Sequence, residues 1–137
     1  MSKIGNAFKN GKAFVGFLTA GDPSLEDTLR FMKAMERGGA DLIELGIPFS
    51  DPIAEGIVIQ EADLRALEHN TSVDDAFHVG EEFRKESDLP VVFKGYVNPM
   101  FNYGYDRFFH KCAEIGVDGV IVPDVPFEER NEFADVA

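Results

Sequence analysis

Glu44 and Glu55 are the residues whose type and setting could carry a reaction. Glu44 sits in Leu42-Ile43-Glu44-Leu45-Gly46-Ile47-Pro48, a carboxylate amid apolar neighbours. Withdrawn from water, such a group titrates above the usual carboxylate range, which suits general acid–base work near neutral pH. The competing reading is a structural glutamate paired with a neighbouring base, because ion pairs also perturb titration. Glu55 follows within Pro48-Phe49-Ser50-Asp51-Pro52-Ile53-Ala54-Glu55-Gly56. Two prolines stiffen this segment, Ser50 and Asp51 can bond local backbone, and Gly56 permits an unusual dihedral. The loop would hold a second carboxylate near the first, or would simply face solvent as polar loops commonly do.

The elements that must position these groups read as strands alternating with amphipathic helices. Ala13 to Leu18 is an apolar run ended by the turn Gly21-Asp22-Pro23. Ser24 then caps a helix with Glu26 and Asp27 in its first turn, Leu25, Leu29, Met32 and Met35 on one face, and Gly38-Gly39 as its stop. Asp41 to Leu45 is a second strand. Helices are predicted from about Val58 to Leu67 and from Ser72 or Val73 to about Lys85. Pro90 to Tyr96 reads as the third strand, Asp106 to Ile115 as a helix, Gly119 to Val122 as the fourth strand, and Phe127 onward as a fourth helix with Phe133 and Val136 on its apolar side. Strands separated by helices imply parallel pairing, and both a doubly wound sheet and a (β/α)8 barrel have that rhythm. In a barrel, functional groups gather at the C-terminal ends of the strands, where Glu44 and Glu55 fall.

Composition narrows the class. With 137 residues, of which 45% are hydrophobic and 28% charged, the chain fits one globular unit, residues 1–137. It is about half of the roughly 250 residues an eight-stranded barrel uses, and it stops at Ala137 just inside the fourth predicted helix, so an incomplete (β/α)4 half-barrel is the expectation. A net charge of −12 argues against nucleic acid and against anionic membrane surfaces. No run approaches the 18 or so apolar residues of a membrane span, and no leader pattern opens the chain, so a cytoplasmic protein is expected. The single cysteine, Cys112, lies in an apolar helical stretch and is expected to be a buried, inert thiol.

The run Glu44 to Gly56 resembles the signature of the tryptophan synthase alpha subunit family over thirteen consecutive positions. Phe14 to Pro23 resembles that family's first strand and turn. Ile59-Gln60 and Leu64-Arg65-Ala66-Leu67 resemble its second helix, and Tyr96-Val97-Asn98-Pro99 and Pro123-Asp124-Val125-Pro126 the ends of its third and fourth strands. The resemblance implies a TIM barrel and a lyase of tryptophan biosynthesis that cleaves indole-3-glycerol phosphate to indole and glyceraldehyde 3-phosphate. It implies that Glu44 is the acid–base group and that Glu55, often Asp in the family, stabilises positive charge on the indole nitrogen. Phe17, Tyr96, Ile121 and Pro123 match positions lining the indole pocket. Ser50, Asp51 and Pro52 match the loop that faces the beta subunit in an αββα assembly. No metal or cofactor is implied for this chain, pyridoxal phosphate belonging to the beta subunit.

Three departures from the family pattern stand out. Ile57 stands where a proline is usual, which should loosen the loop carrying Glu55. Gly16 replaces a usual proline, and Lys94-Gly95 a pair that is commonly apolar then Thr. Strand parity groups Glu44 with Leu42, Tyr96 with Val92 and Lys94, and Phe17 with Val15. An inward Lys94 admits three readings: an ion pair with Glu44, a Schiff-base nucleophile of an aldolase, or a solvated side chain snorkelling to the mouth, the last being favoured. Half a barrel would also leave two sheet edges and an open inner face, so this chain alone is expected to be inactive and to self-associate or to require its complement.

Overall fold

The computed structural model describes residues 2–137. Four parallel strands, β1 (Val15–Thr19), β2 (Leu42–Gly46), β3 (Val91–Lys94) and β4 (Gly119–Ile121), form one sheet in the order β1-β2-β3-β4. A short helix α1 (Ile4–Ala7) precedes β1, and α2 (Leu25–Arg37) joins β1 to β2. Helices α3 (Ile57–Glu68) and α4 (Val73–Arg84) join β2 to β3; α5 (Val97–Tyr103) and α6 (Tyr105–Ile115) join β3 to β4. Sequential strand order has no reversal point of the doubly wound kind, which decides between the two expected architectures in favour of a barrel-type sheet.

Local chemistry explains the helix starts. Ser24 accepts the Asp27 amide at 3.0 Å, capping α2 as expected. Ser72 and Asp75 form a reciprocal capping box on α4. The stop of α2 is Gly39, whose φ of +95° strains any side-chain-bearing residue.

Alternate strand residues face opposite ways, as parity predicts. Ile43, Leu45, Val91 and Phe93 point outward into the main core with Met32 of α2, Phe77 and Phe83 of α4 and Phe108 of α6. The inner face carries Leu42 and Val92, which pack on Ile4 and Ala7 of α1 and close the N-terminal end. Cys112 lies buried in the main core, and desolvation pushes its thiol up to about 12, an inert group as expected.

One element was not anticipated and two expectations need correction. Helix α1, only four residues long, is too short for any periodic pattern to reveal. Helix α5 begins directly after Tyr96, where a strand end was expected; Pro99 falls in its first turn, where a missing N–H costs nothing, and Asp124 accepts the Val97 amide at 3.0 Å. The segment from Phe127 forms a 3-10 helix, Phe127–Glu132, with none of its residues buried. Phe133 stacks on Phe109 at 5.9 Å, but Phe127 stays 72% exposed, so no apolar face exists to draw the segment into an α-helix.

Candidate active site

The inner face is built in layers set by the strand register. Phe17, Glu44, Val92 and Gly119 align across the sheet, and above them, toward the C-terminal ends, Thr19, Gly46, Lys94 and Ile121. Gly46 leaves room for the Phe17 ring: a Cβ there would lie 2.7 Å from Phe17 Cζ. The hydroxyl of Thr19 in this upper layer is buried without a hydrogen-bond partner among the described residues.

The loop between β2 and α3 folds back over this layer. Tyr96 stacks on Phe49 with centroids 5.4 Å apart, and its hydroxyl accepts the Ala54 amide at 3.0 Å. Next along the loop, Glu55 Oε1 lies 2.5 Å from Lys94 Nζ, while Glu44 Oε1 lies 3.9 Å from the same ammonium. The three side chains are 10%, 21% and 19% exposed, and Lys94 Nζ stands 5.5 Å from the centroid of the Phe17 ring. Lys94 is thus neither solvated nor snorkelling: its main partner is Glu55 and its second is Glu44.

The electrostatics follow from this packing. Burial pushes the Glu44 carboxyl above its ordinary value, Lys94 pulls it back in part, and the Glu55 charge adds to the rise. Burial alone would lower the Lys94 pKa, but the hydrogen bond and charge of Glu55, with the charge of Glu44, reverse that and raise it. The ammonium therefore stays protonated near neutral pH, which leaves no lone pair for imine formation.

Asp63, on the buried side of α3 and only 4% exposed, escaped the sequence reading. Burial raises its carboxyl to about 6, opposed by the Phe49 backbone amide and modified by the charges of Glu55, Lys94 and Asp22. Its signal was present, an acidic residue lying between Ala62 and Ala66, which are one helical turn apart and both buried. Motifs distant in sequence also meet. Arg65 pairs with Asp22 through two bonds of 2.9 Å, tying α3 to the turn after β1.

Phe17 lies against this cluster and Tyr96, 3% exposed, anchors the loop above it. Ile121 faces the same side from β4 and is 40% exposed, while Pro123 lies on the exposed segment beyond. Ser50 and Asp51 are exposed, with the Ser50 hydroxyl donating to Asp51 at 2.7 Å, but Pro52 is buried rather than displayed beside them. Among the described residues, no group of His, Cys, Asp and Glu is arranged to hold a metal ion, and no helix is long and apolar enough to cross a membrane.

A sequentially ordered parallel sheet, helices packed on one face and charged groups gathered at the strands' C-terminal ends on the other define a (β/α)-barrel type of protein. The model of the tryptophan synthase alpha chain matches residues 5–137, and the chain belongs to that family. It is 48% identical over its whole length to the tryptophan synthase alpha chain of Lacticaseibacillus casei, of which it covers 52%, and 44% identical to that of Petrotoga mobilis, covering 97% of itself and 52% of the relative. The crystal structure of subunit alpha from Legionella pneumophila superimposes with a TM-score of 0.95 at 42% identity, over 99% of this chain and 54% of that one. A chain of the tryptophan synthase a2b2 complex from Pyrococcus furiosus gives 0.88 at 42% identity, over 91% and 53%. The chain spans about half the length of the relatives it matches.

Proposed function

We propose that this chain is the N-terminal half of an indole-3-glycerol phosphate lyase, contributing both catalytic carboxylates of a retro-aldol cleavage. The observation that supports the reading is the placement of Glu44 and Glu55 together at the C-terminal rim, on either side of one ammonium. Glu44, its carboxyl raised by burial, donates its proton to C3 of the indole ring, and Glu55 accepts the ring N–H as positive charge develops there. The carboxylate left on Glu44 then takes the proton of the glycerol hydroxyl. The C–C bond breaks, its electron pair restores the aromatic indole, and the hydroxyl carbon becomes the aldehyde of glyceraldehyde 3-phosphate. Phe17 and Ile121 supply apolar surface for the ring, with Tyr96 and Pro123 at its margin. These steps call on no metal or organic cofactor, and the reading places the protein in the cytoplasm.

Spanning half the length of its relatives, the chain alone is proposed to lack turnover. Supplying the remaining units from the Lacticaseibacillus casei relative as a second segment should give indole release, and Glu44→Gln in that assembly should abolish it while the circular dichroism spectrum is kept. Retained turnover would sink the role given to Glu44.

A second reading rests on the exposed Ser50-Asp51 turn: the chain binds a tryptophan synthase beta subunit without itself catalysing. Co-precipitation with a beta subunit, lost in Asp51→Ala, separates this from the lyase reading. The inner-face residues Val15 and Ile121, 42% and 40% exposed beside the β1 and β4 edges, favour pairing of two copies in the absence of other units. Sedimentation measures this directly, and a soluble monomer that releases indole contradicts both proposals about the isolated chain.

A further inference from the structure

The loop that carries Glu55 has its backbone held locally, the Glu55 amide donating to the Pro52 carbonyl at 3.0 Å and Gln60 Nε2 donating to the Glu55 carbonyl at 2.8 Å, but neither bond fixes the Glu55 carboxylate. Gly56 caps α3 without a side-chain bond, and Ile53 and Ile57 on either side of Glu55 are 83% and 70% exposed. The side chain of Glu55 is held from the end of β3. Tyr96 takes the Ala54 amide and Lys94 takes the Glu55 carboxylate, so successive inward residues at the end of one strand grip successive residues of the loop. Lys94 is itself caged, by Glu55 in contact, by Glu44 beyond contact, and by the Phe17 ring.

Two carboxylates sharing a pocket are chemically alike until something distinguishes them. Here the distinction is geometric, because the ammonium touches one and only approaches the other. A carboxylate has two oxygens and can accept at both, so contact through Oε1 leaves Oε2 of Glu55 open to a donor on a ligand. We propose that Lys94 is a positioning residue that pins the Glu55 carboxylate in place, one oxygen held and one presented to a ligand, while Glu44, approached but not held, stays free to exchange a proton.

This rests on the lyase reading for its purpose, since an N–H acceptor must be anionic and fixed while an acid–base group must exchange its proton. Its test needs no turnover, so failure of the lyase reading leaves it standing or falling separately. The charged and titratable groups that face Lys94 are Glu55 from the loop, Glu44 from β2 and Tyr96 from its own strand end; Asp63 acts from α3.

The experiment is a nitrogen-detected titration of the Lys94 ammonium in this chain and in two single variants. Glu55→Gln should lower the Lys94 midpoint by about one pH unit or more, and Glu44→Gln by clearly less. In parallel, amide exchange at Ala54 and Glu55 should accelerate about tenfold in Lys94→Met and recover in Lys94→Arg, with exchange of the β2 amides unchanged. If Lys94→Met does not fold, the two glutamate variants decide alone, as they leave the cation in place. Equal effects of the two glutamates, or a larger effect of Glu44, would overturn the proposal, as would loop exchange indifferent to Lys94.

Discussion

Phe93 and Lys94 are neighbours in the chain and face opposite sides of β3. Phe93 is fully buried among α4 and α6, its ring 5.6 Å from that of Phe77. Lys94 looks into a pocket of two carboxylates and an aromatic ring, still 21% exposed. The same contrast runs through β2, where Ile43 and Leu45 bury completely in the outer core and Glu44 between them does not. One face holds the fold together and the other holds charge in place. A strand's period of two lets a single four-residue segment do both, and a slip of one register position would exchange them.

The contrast breaks if the outer face proves dispensable. Phe93→Ala removes a fully buried ring from the main core and should cost about 3–5 kcal/mol, a large fraction of the stability of a small domain. Urea denaturation followed by circular dichroism measures it. A loss under 1 kcal/mol would mean that the outer core does not organise the sheet.

The next effect has the opposite sign and sits at the edge of the site. Asp63 has a folded-state pKa of about 6 against an ordinary 3.8, so the native state binds its proton more tightly than the unfolded chain does. Stability from this group is therefore highest below pH 3.8, falls as pH rises, and has reached its full penalty above about 6. That shift corresponds to an upper bound of about 3 kcal/mol, so Asp63→Asn should stabilise the protein at pH 7.5 by up to that amount and flatten its stability between pH 4 and 6. Thermal melts across that range test it. An unchanged slope would show that Asp63 is not the group carrying it.

How far the sequence reveals all this depends on the range of each interaction. The Ser24 cap and the parity that sends Glu44, Lys94 and Phe17 to one face are fixed within a few residues, and both were legible. The partner of Lys94 was not. Parity aims the ammonium inward, but the choice between Glu44 and Glu55 depends on how the β2–α3 loop folds over the rim, which spacing does not encode. Helix α1 and the 3-10 turn after Phe127 failed for a related reason: their conformation is set by whether a surface lies nearby to pack on. The burial of Pro52 between exposed Asp51 and Ile53, on a loop for which packing and solvent exposure were both open, belongs to the same class.

On the N-terminal half of the inner face, burial resumes and a moderate effect is expected. Val92 is 7% exposed against Leu42, Ile4 and Ala7, so Val92→Ala should cost roughly 1.5 kcal/mol from the two carbons lost. That lies between the outer core and the charged rim. A cost equal to that of Phe93→Ala would mean that α1 and the inner face form a second core of equal weight, and the contrast between faces would apply only to the rim.

The smallest effect on stability is expected where the largest effect on chemistry is proposed. Burial raises the Glu44 carboxyl, so the native state favours its protonated form, and stability from this group is greatest below the ordinary value of 4.5 and declines as pH rises through the raised one. Lys94 opposes that rise from 3.9 Å, and the side chain is 19% exposed, so water and ion pair together offset part of the penalty. Glu44→Gln keeps the shape and removes the charge, and should change stability at pH 7 by less than about 1 kcal/mol in either direction. Urea denaturation beside Phe93→Ala reads the difference directly. A loss of several kcal/mol would make Glu44 a structural partner of Lys94, the alternative its apolar setting left open. A near-neutral result would set it apart from Ile43 and Leu45 on either side of it, as a residue whose place on β2 owes nothing to the stability of the strand.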